Sequence, residues 1–113
     1  MPRFLFVVFT APKPGREDDY NDWYDGRHLQ DTVNVPGFVS GERFVLADVE
    51  STQIGLPKYL ALYEIEADDI AEVPRALAEA RAAGTMPSSD ALDRSSIVAA
   101  FYEPLAAPIR REP

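Results

Sequence analysis

Phe4-Leu5-Phe6-Val7-Val8-Phe9 is an unbroken apolar run near the start of the chain, and its reading decides the fold. It is far short of the roughly 18 apolar residues of a membrane helix. It is also short for the core of a secretory leader, and no A-x-A site follows it. Its aromatic and β-branched residues suit a buried strand. In a strand, Phe4, Phe6 and Val8 share one face and Leu5, Val7 and Phe9 the other, so both faces are apolar. The strand is expected over Arg3–Thr10, ended by Ala11-Pro12-Lys13-Pro14-Gly15, where proline and glycine oppose further pairing.

Outward from this strand the pattern alternates. Glu17, Asp18 and Asp19 suit a helix start, offsetting the positive end of the helix dipole. That helix carries Tyr20, Trp23, Tyr24, His28 and Leu29 and must stop before Pro36-Gly37. A second strand is expected from Phe38 to about Leu46, a loop over 48–57, and a third strand over Lys58–Ile65. Asp68 or Asp69 should cap a second helix with Ile70, Val73, Leu77 and Ala80 at helical spacing. Pro74 either begins its main body or kinks it, and Gly84 ends it. Residues 85–94 read as a connector, Ser95 to about Glu103 as the last strand, and 104–113 as a Pro-rich tail. The order β-α-β-β-α-β is that of an α+β, ferredoxin-like domain: a four-stranded antiparallel sheet with two helices on one face.

The strands imply more. Tyr59, Ala61, Tyr63 and Ile65 oppose Leu60 and Leu62, while Ile97, Ala99 and Phe101 oppose Val98, Ala100 and Tyr102. Two helices cover one face only, so the other is expected to pack on a second copy, sheet to sheet, as a homodimer. The chain has 113 residues, 46% of them hydrophobic, which suits one domain, 1–113. Its net charge of −8 argues against nucleic acid or an anionic membrane as partner. The absence of cysteine excludes disulfides, thiolate metal sites and a Cys nucleophile. A cytoplasmic location is the default expectation.

Chemistry concentrates in the first helix, Tyr20-Asn21-Asp22-Trp23-Tyr24-Asp25-Gly26-Arg27-His28-Leu29-Gln30-Asp31. At α-helical spacing Tyr24 and His28 lie one turn apart on one side, with Asn21 beside them. His28 is the only histidine. Its imidazole exchanges protons near neutrality, Asp31 could fix its tautomer and raise its basicity, and Tyr24 could donate to a substrate oxygen. The alternative role for His28 is a hydrogen bond within the helix-to-strand junction. Trp23, Phe4 or Phe6, and Phe38 are the expected walls of a small-molecule pocket. Gly26, costly inside a helix, hints at close packing. Arg43 points away from Phe44 and needs an acidic partner or an anionic ligand, the former preferred.

These residues carry a resemblance. Trp23-Tyr24, His28-Leu29 and Asp31, with Pro36-Gly37-Phe38 and Arg43-Phe44 downstream, resemble the EthD-like family of dimeric α/β-barrel proteins. The motifs span residues 3–46; beyond them the likeness is one of element order. It implies a ferredoxin-like protomer, a dimer with facing sheets, and a cleft between helices and sheet. Family members are associated with degradation of ethers and aromatics, and relatives act as dehydratases, decarboxylases or cyclases on polyketide-like compounds. More distant barrel proteins bind haem or oxidise quinol-type substrates without a cofactor.

Competing sites lack support in the sequence. Asp25, His28 and Asp31 read as solvated carboxylates beside an imidazole rather than a metal site. There is no G-x-S-x-G and no phosphate or dinucleotide loop. Haem is disfavoured by the lack of C-x-x-C-H and of a basic cluster beyond Arg27 and Arg43. The expectation is therefore a cofactor-independent lyase, cyclase or monooxygenase-like enzyme with His28, Tyr24 and Asp31 as catalytic residues. Asn21, Trp23, Phe4, Phe6, Phe38 and Arg43 would bind its ligand. A non-catalytic ligand-binding or accessory protein and a pure dimerisation module are the alternatives.

Overall fold

A strand that is apolar on both sides belongs in the middle of a sheet, and the first strand lies there. The computed structural model describes residues 1–50 and 55–113. Its elements are β1 (Arg3–Pro12), α1 (Glu17–Trp23), a π-helical stretch (Tyr24–His28), α2 (Leu29–Val33), β2 (Phe38–Val45), β3 (Tyr59–Glu66), α3 (Glu72–Ala82) and β4 (Leu92–Tyr102). The three helical pieces from Glu17 to Val33 follow one another without a break. The strand order is β2-β3-β1-β4, and all pairings are antiparallel. This is the expected ferredoxin-like arrangement. Part of the expected 48–57 loop, residues 51–54, lies outside the described residues.

Boundaries differ from expectation where proline and side-chain bonding were misjudged. β1 runs past Thr10 to Pro12, and β4 begins at Leu92 rather than Ser95, because Ala11 and Pro12 pair with Asp93 and Leu92. Beyond Thr10 only β4 flanks this strand, so one edge of its backbone needs no ladder partner and proline is tolerated. The Ser96 hydroxyl accepts from the Ala11 N–H at 2.8 Å where the ladder is irregular. The second helix starts at Glu72, later than the Asp68 or Asp69 cap implied. Asp69 instead closes a turn, its carboxylate accepting from the Ala71 N–H at 3.0 Å. Pro74 falls in the first turn of α3, where its missing N–H costs nothing.

The core lies between the sheet and the helices. Phe4, Phe6, Tyr63 and Ile65 from the strands meet Tyr20, Tyr24, Val73 and Leu77 from the helices. Gly37, at φ +97°, turns the chain from α2 into β2, and a Cβ there would lie 3.3 Å from Val73. Gly41 admits the Tyr63 ring, since a Cβ on it would sit 2.8 Å from Cδ1 of that ring. The opposite sheet face carries Leu5, Val7, Phe9, Leu60 and Leu62 half-buried and Phe44, Val98 and Tyr102 exposed. The tail beyond Tyr102 forms neither helix nor strand, and Leu105 and Ile109 on it are fully exposed.

Candidate functional site

A cavity of about 840 Å³ opens between the helices and the β1–β4 side of the sheet. Its floor is a row of cross-strand partners: Phe6 lies opposite Tyr63 on β3 and Phe101 on β4. The Phe6 and Phe101 rings stack at 4.3 Å between centroids. Trp23, Tyr24, His28 and Thr32 form the helical wall, Leu77 and Arg81 the α3 wall, and Met86, Pro87 and Ser88 a third side from the connector. The Trp23 indole N–H donates to the Pro87 carbonyl at 3.1 Å and so ties that connector to the helix.

The helix is not α-helical where the site lies. The Leu29 N–H bonds to the Tyr24 carbonyl, five residues back, which defines the π-helical stretch. In an α-helix five residues turn through about 500°, leaving Trp23 and His28 on different sides. The wider π turn brings them together, with ring centroids 4.3 Å apart and planes 23° from parallel. Tyr24 meets the same imidazole edge-on at 4.8 Å. Gly26 lies within this stretch, and a Cβ on it would meet nothing within 4 Å, so the expected close packing at Gly26 is absent.

His28 is half-buried, and its Nδ1 is fully buried with no hydrogen-bond partner among the described residues. Burial lowers its pKa from 6.5 to about 4; the nearby Asp31 carboxylate opposes this, and the Arg81 and Arg43 charges add to it. The imidazole is therefore neutral at physiological pH. An N–H on Nδ1 would be a buried, unsatisfied donor, so the favoured tautomer carries its proton on Nε2. Tyr24 is buried, and its hydroxyl lies 3.3 Å from that of Tyr63. Burial pushes both phenols above their ordinary pKa, so both stay protonated.

The structure divides the sequence-derived site residues. His28, Tyr24, Trp23 and Phe6 line the cavity. Asp31 makes no hydrogen bond to His28 among the described residues; its carboxylate accepts from the Arg27 guanidinium one turn away at 2.9 Å. Asn21 faces the other way, donating to the Tyr59 hydroxyl at 3.1 Å and accepting from Arg43 at 2.9 Å. Phe4 is buried in the core beneath the cavity, and Phe38 packs edge-on against Phe6 and Tyr63 without lining it. Arg43 bonds Asp25 at 2.7 Å and lies 4.3 Å from the Tyr24 ring centre. It thus has the acidic partner its position required, and it clamps β2 to the helix. Among the described residues, no three His, Cys, Asp or Glu side chains converge as a metal site.

Sequence reasoning missed Tyr63, Phe101, Leu77, Arg81, Met86 and Arg94, all of which line the cavity. Cross-strand register from the ferredoxin-like order would have placed Tyr63 and Phe101 beside Phe6. The i, i+4 spacing of Leu77 and Arg81 put them on one face of α3.

No protein-family model matches the chain, and no curated protein matches it. Solved structures do match. An ethyl tert-butyl ether D (EthD) family protein from Bacillus halodurans superposes with a TM-score of 0.62 at 15% identity, over 93% of this chain and all of the other. The haem degrader MhuD of Mycobacterium tuberculosis, solved with two haems in its active site, gives 0.62 at 16% identity, over 93% and 98%. SnoaB, a cofactor-independent oxygenase of Streptomyces nogalater, gives 0.57 at 14% identity, over 95% and 97%. The chain thus has the ferredoxin-like fold of EthD-type and dimeric α/β-barrel proteins, a fold that serves more than one chemistry.

Proposed function

We propose that this chain is a homodimeric, cofactor-independent enzyme acting on a small aromatic or polyketide-like compound beside His28. The carrying observation is the cavity itself: about 840 Å³, walled by aromatic and aliphatic side chains, with one neutral imidazole on its wall. The sequence suggested His28 as a general acid or base. Its neutrality and the burial of Nδ1 favour the donor side of that role, with Nε2–H directed at a ligand oxygen. Decarboxylation, dehydration and aldol-type cyclisation all develop enolate charge on such an oxygen. A fixed donor in an apolar cavity stabilises it more than water does. The Tyr24–Tyr63 hydroxyl pair, protonated at physiological pH, is a second donor where that wall meets the floor. The EthD-family and cofactor-independent oxygenase matches agree with this reading, and the apolar outer sheet face supports the dimer.

The haem degrader raises haem as a ligand. A ligating histidine almost always holds its other ring N–H on an acceptor, and Nδ1 of His28 has none among the described residues, so the residues present do not fit an axial ligand. The test is a thermal-shift screen of phenols, quinones and polyketide analogues with wild type and His28→Gln, followed by product analysis of the hits. A compound that stabilises both proteins but is turned over only by wild type is the expected result. Equal turnover by the variant, or no stabilisation of wild type by any compound, would contradict the proposal.

A further inference from the structure

The charged side chains that line the cavity are of one sign. The chain has 19 acidic residues against 11 Lys and Arg, yet among the described residues no Asp or Glu lines the cavity. Two arginines do: Arg81, one turn beyond Leu77 on α3, and Arg94 on β4. They come from different elements and face the same space. Arg16, Arg27 and Arg43 each sit on a carboxylate at 2.7–3.0 Å. Neither Arg81 nor Arg94 has a carboxylate within salt-bridge distance among the described residues. Arg94 donates to the Ser88 hydroxyl at 2.7 Å, and Ser88 also lines the cavity. A guanidinium beside a neutral hydroxyl keeps its full charge and several free donors in a planar fork that matches a carboxylate.

We propose that the compound taken by this cavity is an acid, its carboxylate held by Arg81 and Arg94 while its ring lies against Phe6, Phe101 and Trp23. The inference rests on the reading of the cavity as a site for a small aromatic compound and adds its charge. A carboxylate in the cavity lining would repel such a ligand, and none is found there among the described residues. Such a ligand also gives the arginines a second effect. The Arg81 charge reaches His28, so an acid bound between them screens that charge from the imidazole.

The experiment compares 2-naphthoate with 2-naphthamide, which matches it in shape but carries no charge, by calorimetric titration at pH 7.5. Wild type, Arg81→Gln, Arg94→Gln and Arg75→Gln are compared. Arg75 is exposed on α3 and outside the cavity lining, so its variant changes net charge equally. Wild type and the Arg75 variant are expected to bind the acid about tenfold more tightly than the amide. The Arg81 and Arg94 variants should each lose most of that preference while binding the amide as wild type does. Raising ionic strength to about 0.5 M should weaken the acid and leave the amide unchanged. Equal binding of acid and amide by wild type, or an unaltered preference in both cavity-arginine variants, overturns the inference and leaves the aromatic cavity standing. Binding of neither compound overturns the cavity reading and the inference together.

Discussion

At the scale of the residue, His28 couples the chemistry to stability. Its pKa is near 6.5 when unfolded and about 4 when folded, so above about pH 6.5 it is neutral in both states and costs the fold nothing. As pH falls from 6.5 to 4 the unfolded chain takes the proton more readily, and the fold loses stability; below 4 the loss is complete. The loss is at most about 2 to 3 kcal/mol at pH 4.5. His28→Gln removes it, so urea unfolding at pH 7.5 and 4.5 should show the variant gaining on wild type by up to that amount. An equal loss in both proteins would mean that His28 is not held neutral by the fold. Arg43 behaves differently. Its bonds to Asp25 and Asn21 and its contact with Tyr24 join β2 to the helix outside the cavity lining. Arg43→Met should cost about 1 to 3 kcal/mol in urea unfolding and leave ligand affinity within about twofold. A selective loss of affinity would move Arg43 from the framework into the binding site.

At the scale of the element, the π-helical stretch shapes the helical wall of the cavity. It turns Trp23 onto His28 and leaves Asn21 with Arg43. A sequence read with α-helical spacing finds the helix and the histidine that line the cavity, but it sets Asn21 and Asp31 beside that histidine, whereas in the structure they bond to Arg43 and Arg27. No periodicity signals one widened turn, nor does it tell that Asp31 bonds to Arg27 rather than to His28. The two glycines nearby are expected to respond in opposite ways. Gly26→Ala meets open space and should stabilise by about 0.5 to 1 kcal/mol. Gly41→Ala would press a methyl to 2.8 Å of the Tyr63 ring and 3.0 Å of Val33. It should cost about 1 to 3 kcal/mol and weaken ligand binding, because Tyr63 is cavity wall. Thermal unfolding of the two variants checks both; destabilisation by Gly26→Ala would mean the π turn needs glycine itself.

At the scale of the molecule, the order of strands and helices, punctuated by proline and glycine, was enough to read the ferredoxin-like architecture, and the apolar residues on both faces of β1, β3 and β4 add the expectation of a dimer. The cavity was less legible. More than half of its lining comes from α3, the connector and β4, whose residues carry no motif and meet His28 only through the sheet order. The outer face, with Leu5, Phe9, Leu62 and Val98, is expected to be the dimer interface. Leu62→Glu puts a charge at the middle of that face and should convert a dimer to a monomer in multi-angle light scattering. Wild type that is monomeric at micromolar concentration would contradict the dimer outright.

The most direct test of the central claim uses the fact that the chain has a single histidine. Its ring signals in a ¹H–¹³C spectrum belong to His28 alone, with no assignment needed. Titration of 2-naphthol into the protein at pH 7.5 is expected to shift the His28 ring signals saturably, from positions that report a neutral imidazole. Ring signals that stay unmoved while the compound binds would contradict the claim that this cavity, beside His28, is the site of function.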